Sequence, residues 1–155
     1  MLPESQLDRF MICLSMGYPA HDDAVAILKG NASRPIDHIE PVLTADNLKT
    51  IRAAISQMYV KDEIYDYIVT LVERTRKDGT FSQGASPRGT IAMLGMAKSV
   101  AFINDRDYVT AEDVQRIAKD TLGHRVKLSA RARAEGITMD RAIEQLIQTV
   151  KAPRT

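Results

Sequence analysis

Two short stretches of the sequence stand out, and each contains an arginine, a residue type that can bind a phosphate group. The first is LPESQLDRF at residues 2–10, which contains Arg9, and the second is GASPRGT at residues 84–90, which contains Arg88. Arginine suits phosphate chemistry because its planar guanidinium group pairs with two oxygens at once and does not lose its charge. Arg9 and Arg88 are therefore the first candidates for a functional site.

Arg88 lies at the predicted start of a helix, with Ser86 as the N-cap and Pro87 at the first helical position. A cation there opposes the helix dipole by about 0.3–1 kcal/mol, and an uncompensated local cost of this kind often marks a functional position. An anion beside Arg88 would suit both its side chain and the free N–H groups of the first turn. The alternative, which the residues alone favour, is an exposed arginine that pairs with a nearby carboxylate.

Arg9 also has a functional and an ordinary interpretation. It could be a phosphate ligand, or it could belong to an Asp8–Arg9 turn that leads into a strand. The residues alone favour the turn, because exposed charges are usually solvated and contribute little. Neither arginine is accompanied by the rest of a nucleotide site. The sequence contains no GxxxxGK[ST] loop to cradle phosphates and no apolar strand that ends in paired acids to hold magnesium.

Other chemistry-bearing residues form no recognisable site. His21, His38, His124 and Cys13 have no partners at metal-ligand spacing, so we expect no metal site. The stretch HRVKLSARAR at residues 124–133 is basic, but it lacks the aromatic side chains on which bases stack. We interpret it as a solvated linker. The alternative is a stand-alone helical module that binds protein or nucleic acid, with the basic side chains as the contact surface; these are Arg125, Lys127, Arg131 and Arg133.

Composition bounds the possible functions. The chain has 155 residues, 45% of them hydrophobic and 26% charged, which is typical of one globular domain. Its formal net charge of +1 provides no general attraction for nucleic acid or anionic lipid, so a nucleic-acid partner is not expected. The single cysteine, Cys13, suits a reducing cytoplasm. No apolar run approaches the roughly 20 residues that span a bilayer, so no membrane association is expected.

The elements that would position the two arginines are mostly helical. Helical spacing and caps predict six helices, which begin near Asp22, Thr44, Asp62, Ser86, Thr110 and Thr138. The apolar stripes place Tyr65 and Ile91 among the inward-facing residues, and residues 79–85 are predicted to be a loop. The fold class is therefore mainly α, a helical bundle.

Residues 10–14 differ from this helical pattern. They are almost continuously apolar, which is typical of a strand buried on both faces of a parallel sheet; the alternative is a short buried helix. A lone parallel strand cannot satisfy its backbone polar groups, and no second strand of comparable length is predicted. We interpret this run as the remnant of a larger, truncated α/β domain. Without its sheet, the segment 10–16 should be disordered, collapsed onto the helices or paired with another copy.

The two arginine stretches are followed by a third, DRDYVTAEDV at residues 105–114. In this order the three stretches resemble the MoxR family of AAA+ ATPases, and the resemblance runs from Leu2 to about Leu128. It implies three regions. Residues 1–19 would be the C-terminal remnant of the AAA+ α/β core, residues 20–128 the helical lid domain, and residues 129–155 a C-terminal tail with one helix.

The resemblance also implies roles for the two arginines. Arg9 matches the arginine finger, which reaches into the ATP site of a neighbouring subunit, and Arg88 matches sensor 2, which contacts the γ-phosphate. The whole protein would use ATP and Mg²⁺ and form a homo-oligomeric, hexameric ring in the cytoplasm. It would remodel or activate client proteins, often ones with metal-binding adhesion-type domains. The chain by itself should neither bind ATP tightly nor hydrolyse it, because both phosphate-binding motifs are missing.

Overall fold

The computed structural model describes residues 2–30 and 40–154. His38 and the linker proline Pro35 lie outside these residues. The described part is mainly helical, with two very short strands. In chain order the elements are α1 (Glu4–Leu7), α2 (His21–Leu28), α3 (Ala45–Ser56), α4 (Asp62–Lys77), β1 (Phe81–Gln83), α5 (Pro87–Ile103), α6 (Ala111–Leu122), β2 (Lys127–Leu128), α7 (Ala130–Ala134) and α8 (Met139–Thr149).

The chain divides into two compact units. The larger comprises residues 1–13 and 53–155, and the smaller comprises residues 14–52. Within the described residues of the smaller unit no side chain is buried, and Met16 and Tyr18 are fully exposed. Its helix α2 carries Asp22 and Asp23 in the first turn, where negative charge opposes the positive end of the helix dipole.

The core of the larger unit lies between α4, α5, α6 and α8. Each of the last three begins with a side-chain cap, in which Ser86, Thr110 or Thr138 accepts a hydrogen bond from a backbone N–H of its first turn. The innermost side chains are aliphatic and come from all four helices; they include Ile68, Leu71, Met93, Val114, Leu122, Ile143 and Leu146. The predicted helical bundle is confirmed.

Residues 10–16 form no strand, so that prediction is wrong. Phe10, Met11 and Leu14 are all more than half exposed. No described strand lies beside the segment, and its backbone bonds instead to the end of α6, where the Cys13 N–H donates to the Asp120 carbonyl at 2.9 Å. Of the three alternatives, collapse onto the helices describes residues 10–13.

Three further differences concern short elements that have little sequence signal. Residues 81–83, predicted to be loop, form β1, which pairs antiparallel with β2. α1 forms one turn where no helix was predicted, and α7 adds a second helix after residue 128. Strands of two or three residues are stabilised by their partner, and one-turn helices by their surroundings, so periodicity cannot reveal them.

On each of two helices, one residue predicted to face inward lies outside the core. On α4, Tyr67 is buried whereas Tyr65 is 42% exposed, and on α5, Met93 is buried whereas Ile91 is 70% exposed. Both helices have further apolar residues beside the buried face, so the sequence alone does not define the edge of that face. The domain boundaries remain a prediction.

Candidate functional site

The two arginine stretches meet in the fold. The Ser86 hydroxyl, which caps α5, donates to the carboxylate of Asp8, with 3.0 Å to Oδ1 and 2.9 Å to Oδ2. The same hydroxyl oxygen accepts the backbone N–H of Arg88 at 3.1 Å. Asp8 directly precedes Arg9, so a chain of two hydrogen bonds connects the residue before one arginine to the backbone of the other. The negative carboxylate also lies near the positive end of the α5 dipole, which is favourable.

A buried arginine lies behind this contact. The Arg125 side chain is only 2% exposed, and its Nε lies 3.4 Å from Asp8 Oδ1, an ion-pair contact without hydrogen-bond geometry. Its two terminal nitrogens donate to backbone carbonyls of residues 8–11 and of α6. The acceptors are Asp8 at 3.2 Å, Met11 at 3.1 Å, Phe10 and Thr121.

The positive charge of Arg125 is stabilised by the Asp8 carboxylate and by backbone carbonyl groups. Burial lowers the pKa of its guanidinium group, and the Asp8 carboxylate opposes this shift by favouring the charged form. Arginine keeps its charge in proteins, so Arg125 is a buried cation. An isolated buried charge would be costly, so Asp8 and the carbonyl groups are what allow Arg125 to lie inside the protein.

Two glycines of the GASPRGT stretch permit close packing around this site. Gly89 is buried, and a Cβ at this position would lie 3.3 Å from Ala85 Cβ and 3.4 Å from Arg125 Cδ. At Gly84 a Cβ would lie 2.7 Å from the Arg76 backbone nitrogen, closer than real contacts allow. The sequence therefore brings the start of α5 directly against α4 and against the stem of Arg125.

Arg9 and Arg88 themselves are both exposed. Neither forms an ion pair with a carboxylate of the described residues. Arg88 is the second residue of α5, and Arg9 lies in the turn that follows α1. The Asp8–Ser86 contact thus joins the segments that carry the two arginines and leaves both guanidinium groups open to solvent. The alternative interpretation of Arg88 was an ion pair with a nearby carboxylate, and no carboxylate of the described residues forms such a pair.

The third stretch, residues 105–114, forms a separate structural cluster at the start of α6. Asp113 and Thr110 form a reciprocal capping box, and Arg106 donates to both Asp113 oxygens, at 2.8 and 2.5 Å. Burial raises the pKa of Asp113, but the hydrogen bonds from Arg106 and Thr110 outweigh it and leave that pKa below its usual value. This cluster fixes the start of α6, and Arg125 lies just beyond the other end of that helix.

The predicted basic patch is not one surface. Arg125 is buried, so both its interpretations, as part of a solvated linker and as part of a contact surface, are wrong. Lys127 pairs with Glu4, and Arg131 donates to Glu135 at 2.8 Å. No local sequence pattern distinguishes Arg125, because its partners in residues 8–11 lie 114–117 residues earlier in the chain.

Within residues 2–30 and 40–154, no helix is both long enough and apolar enough to cross a bilayer. No three side chains of the metal-ligating types His, Cys, Asp and Glu come together there in a group that could hold an ion.

Comparison with known proteins places this architecture in a class. Residues 73–146 match the family model described as AAA lid domain. A crystal structure from Cytophaga hutchinsonii, designated a candidate ATPase, superimposes with a TM-score of 0.84 at 29% identity over 99% of this chain and 50% of that one. The helical bundle that contains residues 73–146 is therefore an AAA+ lid bundle.

Curated relatives narrow the class to a family. The chain is 37% identical over 153 residues to the uncharacterized protein YeaC of Bacillus subtilis, covering 98% of this chain and 48% of that protein. It is 30% identical over 162 residues to Chaperone MoxR1 of Mycobacterium tuberculosis, covering 99% and 43%. Protein MoxR of Methylorubrum extorquens is 28% identical over 174 residues, covering 98% and 50%. The chain belongs to the MoxR family of AAA+ proteins and corresponds to a C-terminal part; it spans about half the length of these relatives.

Proposed function

We propose that this chain is the lid-bearing part of a MoxR-type ATPase in which Arg9 and Arg88 contact the phosphates of ATP. Arg9 acts as the arginine finger on the nucleotide of a neighbouring subunit, where it stabilises charge on the transferred phosphoryl group. Arg88 acts as sensor 2 on the γ-phosphate and couples nucleotide state to movement of the lid. In the whole protein this coupling drives chaperone-like remodelling or activation of partner proteins.

The observation that carries this proposal is the contact between Asp8 and Ser86. It connects the segment of Arg9 to the first turn of α5, which bears Arg88, while both guanidinium groups stay exposed. An exposed arginine without a described carboxylate partner is available for an external anion. A shared anchor for two such residues is what a nucleotide-coupled lid requires, because both must respond to the same phosphate chemistry.

The described residues fit only part of an ATP site. Two guanidinium groups supply the cationic partners of phosphate, but the sequence contains no phosphate-binding loop and no paired acids after an apolar strand. AAA+ membership implies ATP with Mg²⁺ in the whole protein, and that pair supplies the phosphoryl group and neutralises its charge. Here Arg9 and Arg88 would bind and orient the phosphate end, and the rest of the protein would hold the remainder.

The partners follow from the same proposal. A finger that acts on a neighbour requires a ring of like subunits, and a hexamer is the form that the MoxR resemblance implies. The relative named Chaperone MoxR1 supports client proteins as the target of remodelling. We propose that the clients include proteins with metal-binding adhesion-type domains. We also propose that the protein acts in the cytoplasm, which suits its single cysteine.

The test is Arg9→Ala in the whole protein, with Arg133→Ala as a control at an exposed arginine that has no carboxylate partner among the described residues. We expect Arg9→Ala to lower ATP turnover by about 10³–10⁵-fold while the ring still assembles, and the control to leave turnover unchanged. Steady-state phosphate release and size-exclusion chromatography with and without ATP provide the two measurements. Full turnover in Arg9→Ala rings would remove the finger assignment.

Arg88 is tested in the same assays. Arg88→Ala should slow turnover or leave turnover intact while the lid no longer follows the nucleotide state, as measured by distance labels placed on the lid. Rings mixed from Arg88→Ala subunits and subunits unable to bind ATP show whether Arg88 serves its own nucleotide or its neighbour's. A variant that matches the natural protein in turnover and lid movement counts against the sensor assignment.

A further inference from the structure

The strongest unexplained feature of the molecule is the guanidinium group of Arg125. It is a permanent charge on a side chain that is 2% exposed. Its hydrogen-bond and ion-pair partners include neither the Arg9 nor the Arg88 side chain. A core needs no such group for stability, since buried ion pairs are often replaceable by apolar residues. Its contacts are nevertheless concentrated on one short piece of chain, residues 8–11.

These contacts bracket Arg9 on both sides. One terminal nitrogen of Arg125 donates to the carbonyls of Asp8 and Phe10, and the other donates to Met11 at 3.1 Å. The backbone just before and just after Arg9 is therefore held by one rigid, planar group. The neighbouring His124 adds a contact, because its Nε2 lies 3.0 Å from the Phe10 carbonyl, an acceptor, and so must carry the proton there.

The same guanidinium group also fixes the start of α5. Its Nε faces the Asp8 carboxylate at 3.4 Å, and that carboxylate accepts the Ser86 cap bond. The arginine stem lies 3.4 Å from where a Cβ would stand on Gly89, so α5 packs directly against it. Arg125 thus lies against both the Arg9 segment and the first turn of α5, and it bonds to α6 through the Thr121 carbonyl.

We propose that Arg125 is the positioning residue for Arg9, and that it sets the finger segment in a fixed register with α6 and the Arg88-bearing turn of α5. This inference rests on the proposed function, because it assumes that Arg9 acts on a neighbouring nucleotide. Arg125 touches no substrate itself. It acts by fixing the backbone from which Arg9 extends, which matters because catalysis is sensitive to the placement of a charged group within about 1 Å.

The expected signature is a loss of turnover without a loss of ATP affinity. A finger on a neighbour's nucleotide contributes mainly in the transition state, so a misplaced finger lowers kcat and leaves KM for ATP nearly unchanged. Lysine at position 125 keeps the charge but cannot bridge several carbonyls, because it presents its donors from one nitrogen atom. We expect Arg125→Lys to lower kcat by about 10²-fold.

The experiment is a double-mutant cycle in the whole protein. ATP turnover is measured for Arg125→Lys, Arg9→Ala and the pair. Arg106→Lys serves as the matched control. Arg106 also donates two hydrogen bonds to a buried group, the Asp113 carboxylate, but it does so at the opposite end of α6. If Arg125 acts through Arg9, Arg125→Lys should cost less than about threefold once Arg9 is alanine, whereas any effect of Arg106→Lys should be the same in both backgrounds.

A second measurement does not depend on turnover. Hydrogen–deuterium exchange should be faster for the amides of residues 9–13 in Arg125→Lys but not in Arg106→Lys, with thermal midpoints reported for both. Unchanged exchange at residues 9–13, or an equal loss of turnover with and without Arg9, would overturn the positioning role and leave Arg125 merely structural. If Arg9→Ala keeps full turnover, the finger assignment itself fails and the inference falls with it; faster exchange in Arg125→Lys would then show that only the structural contact is correct.

Discussion

At the scale of single residues, the buried charged side chains Asp113 and Arg125 each have specific hydrogen-bond or ion-pair partners. Asp113 is 3% exposed, and its carboxylate accepts hydrogen bonds from the Arg106 guanidinium, the Thr110 backbone N–H and the Thr110 hydroxyl. These bonds favour the ionised form and hold its pKa below the usual value in spite of burial. The folded state therefore binds a proton at Asp113 less readily than the unfolded chain does.

This shift predicts a pH-dependent contribution to stability. Because the folded pKa is depressed, the stabilisation is fully present above the unfolded value of about 3.9 and is lost as the pH falls through the folded value. Asp113→Asn should lower the free energy of unfolding by roughly 2–3 kcal/mol at pH 7, since it weakens a cap and a charge-assisted pair. Urea unfolding at several pH values between about 7 and 3 measures the difference between variant and natural protein.

The control for Asp113 is its neighbour Glu112, which lies in the same first turn but is exposed. Glu112→Gln should change stability by less than about 0.5 kcal/mol at any of these pH values. A difference between Asp113→Asn and the natural protein that stays constant down to the most acidic condition would contradict the assignment of the shifted group.

At the scale of elements, the sequence predicts what is decided locally and misses what depends on a distant partner. The caps at Ser86, Thr110 and Thr138 are confirmed because a cap and its helix are adjacent in the chain. The burial of Arg125 could not be predicted, because its acceptors in residues 8–11 lie more than a hundred residues earlier. The strand β1 was missed for the same reason, since it exists only through its pairing with β2.

The corner between α4 and α5 offers a test at this scale. The Arg76 Nε donates to the Ala85 carbonyl at 2.8 Å, and the Ala85 N–H donates to the Thr75 hydroxyl at 2.9 Å, so Gly84 is pressed against α4. An added Cβ would lie 2.7 Å from a backbone nitrogen that cannot move away easily. Gly84→Ala should therefore destabilise the protein by about 1–3 kcal/mol in urea unfolding.

Gly79 provides the matched control for this corner. It lies in the same connection between α4 and α5, but a Cβ there would meet no atom within 4 Å. Gly79→Ala should be neutral or slightly stabilising, because it restricts the unfolded chain without a clash. Equal effects of the two substitutions would show that the close approach at Gly84 is not what determines stability.

At the scale of the whole molecule, the last helix contributes to the core of the larger unit. α8 lies against α4 and α6, and its residues Ile143 and Leu146 are each 1% exposed. The α6 helix therefore makes two kinds of contact. Its C-terminal end contacts Arg125 and the segment that carries Arg9, and its body packs against α8. Loss of packing from α8 should reach the proposed site through α6.

Leu146→Ala tests this connection. Removal of a fully buried leucine side chain should lower the free energy of unfolding by about 2–5 kcal/mol, and Ile91→Ala, at a side chain that is 70% exposed, should cost much less. The measurement is urea unfolding of the whole protein, with hydrogen–deuterium exchange as a local readout at residues 9–13. If α8 supports α6 as the packing indicates, exchange at these residues should rise in Leu146→Ala and stay unchanged in Ile91→Ala. A stability loss below about 1 kcal/mol would contradict a core role for α8.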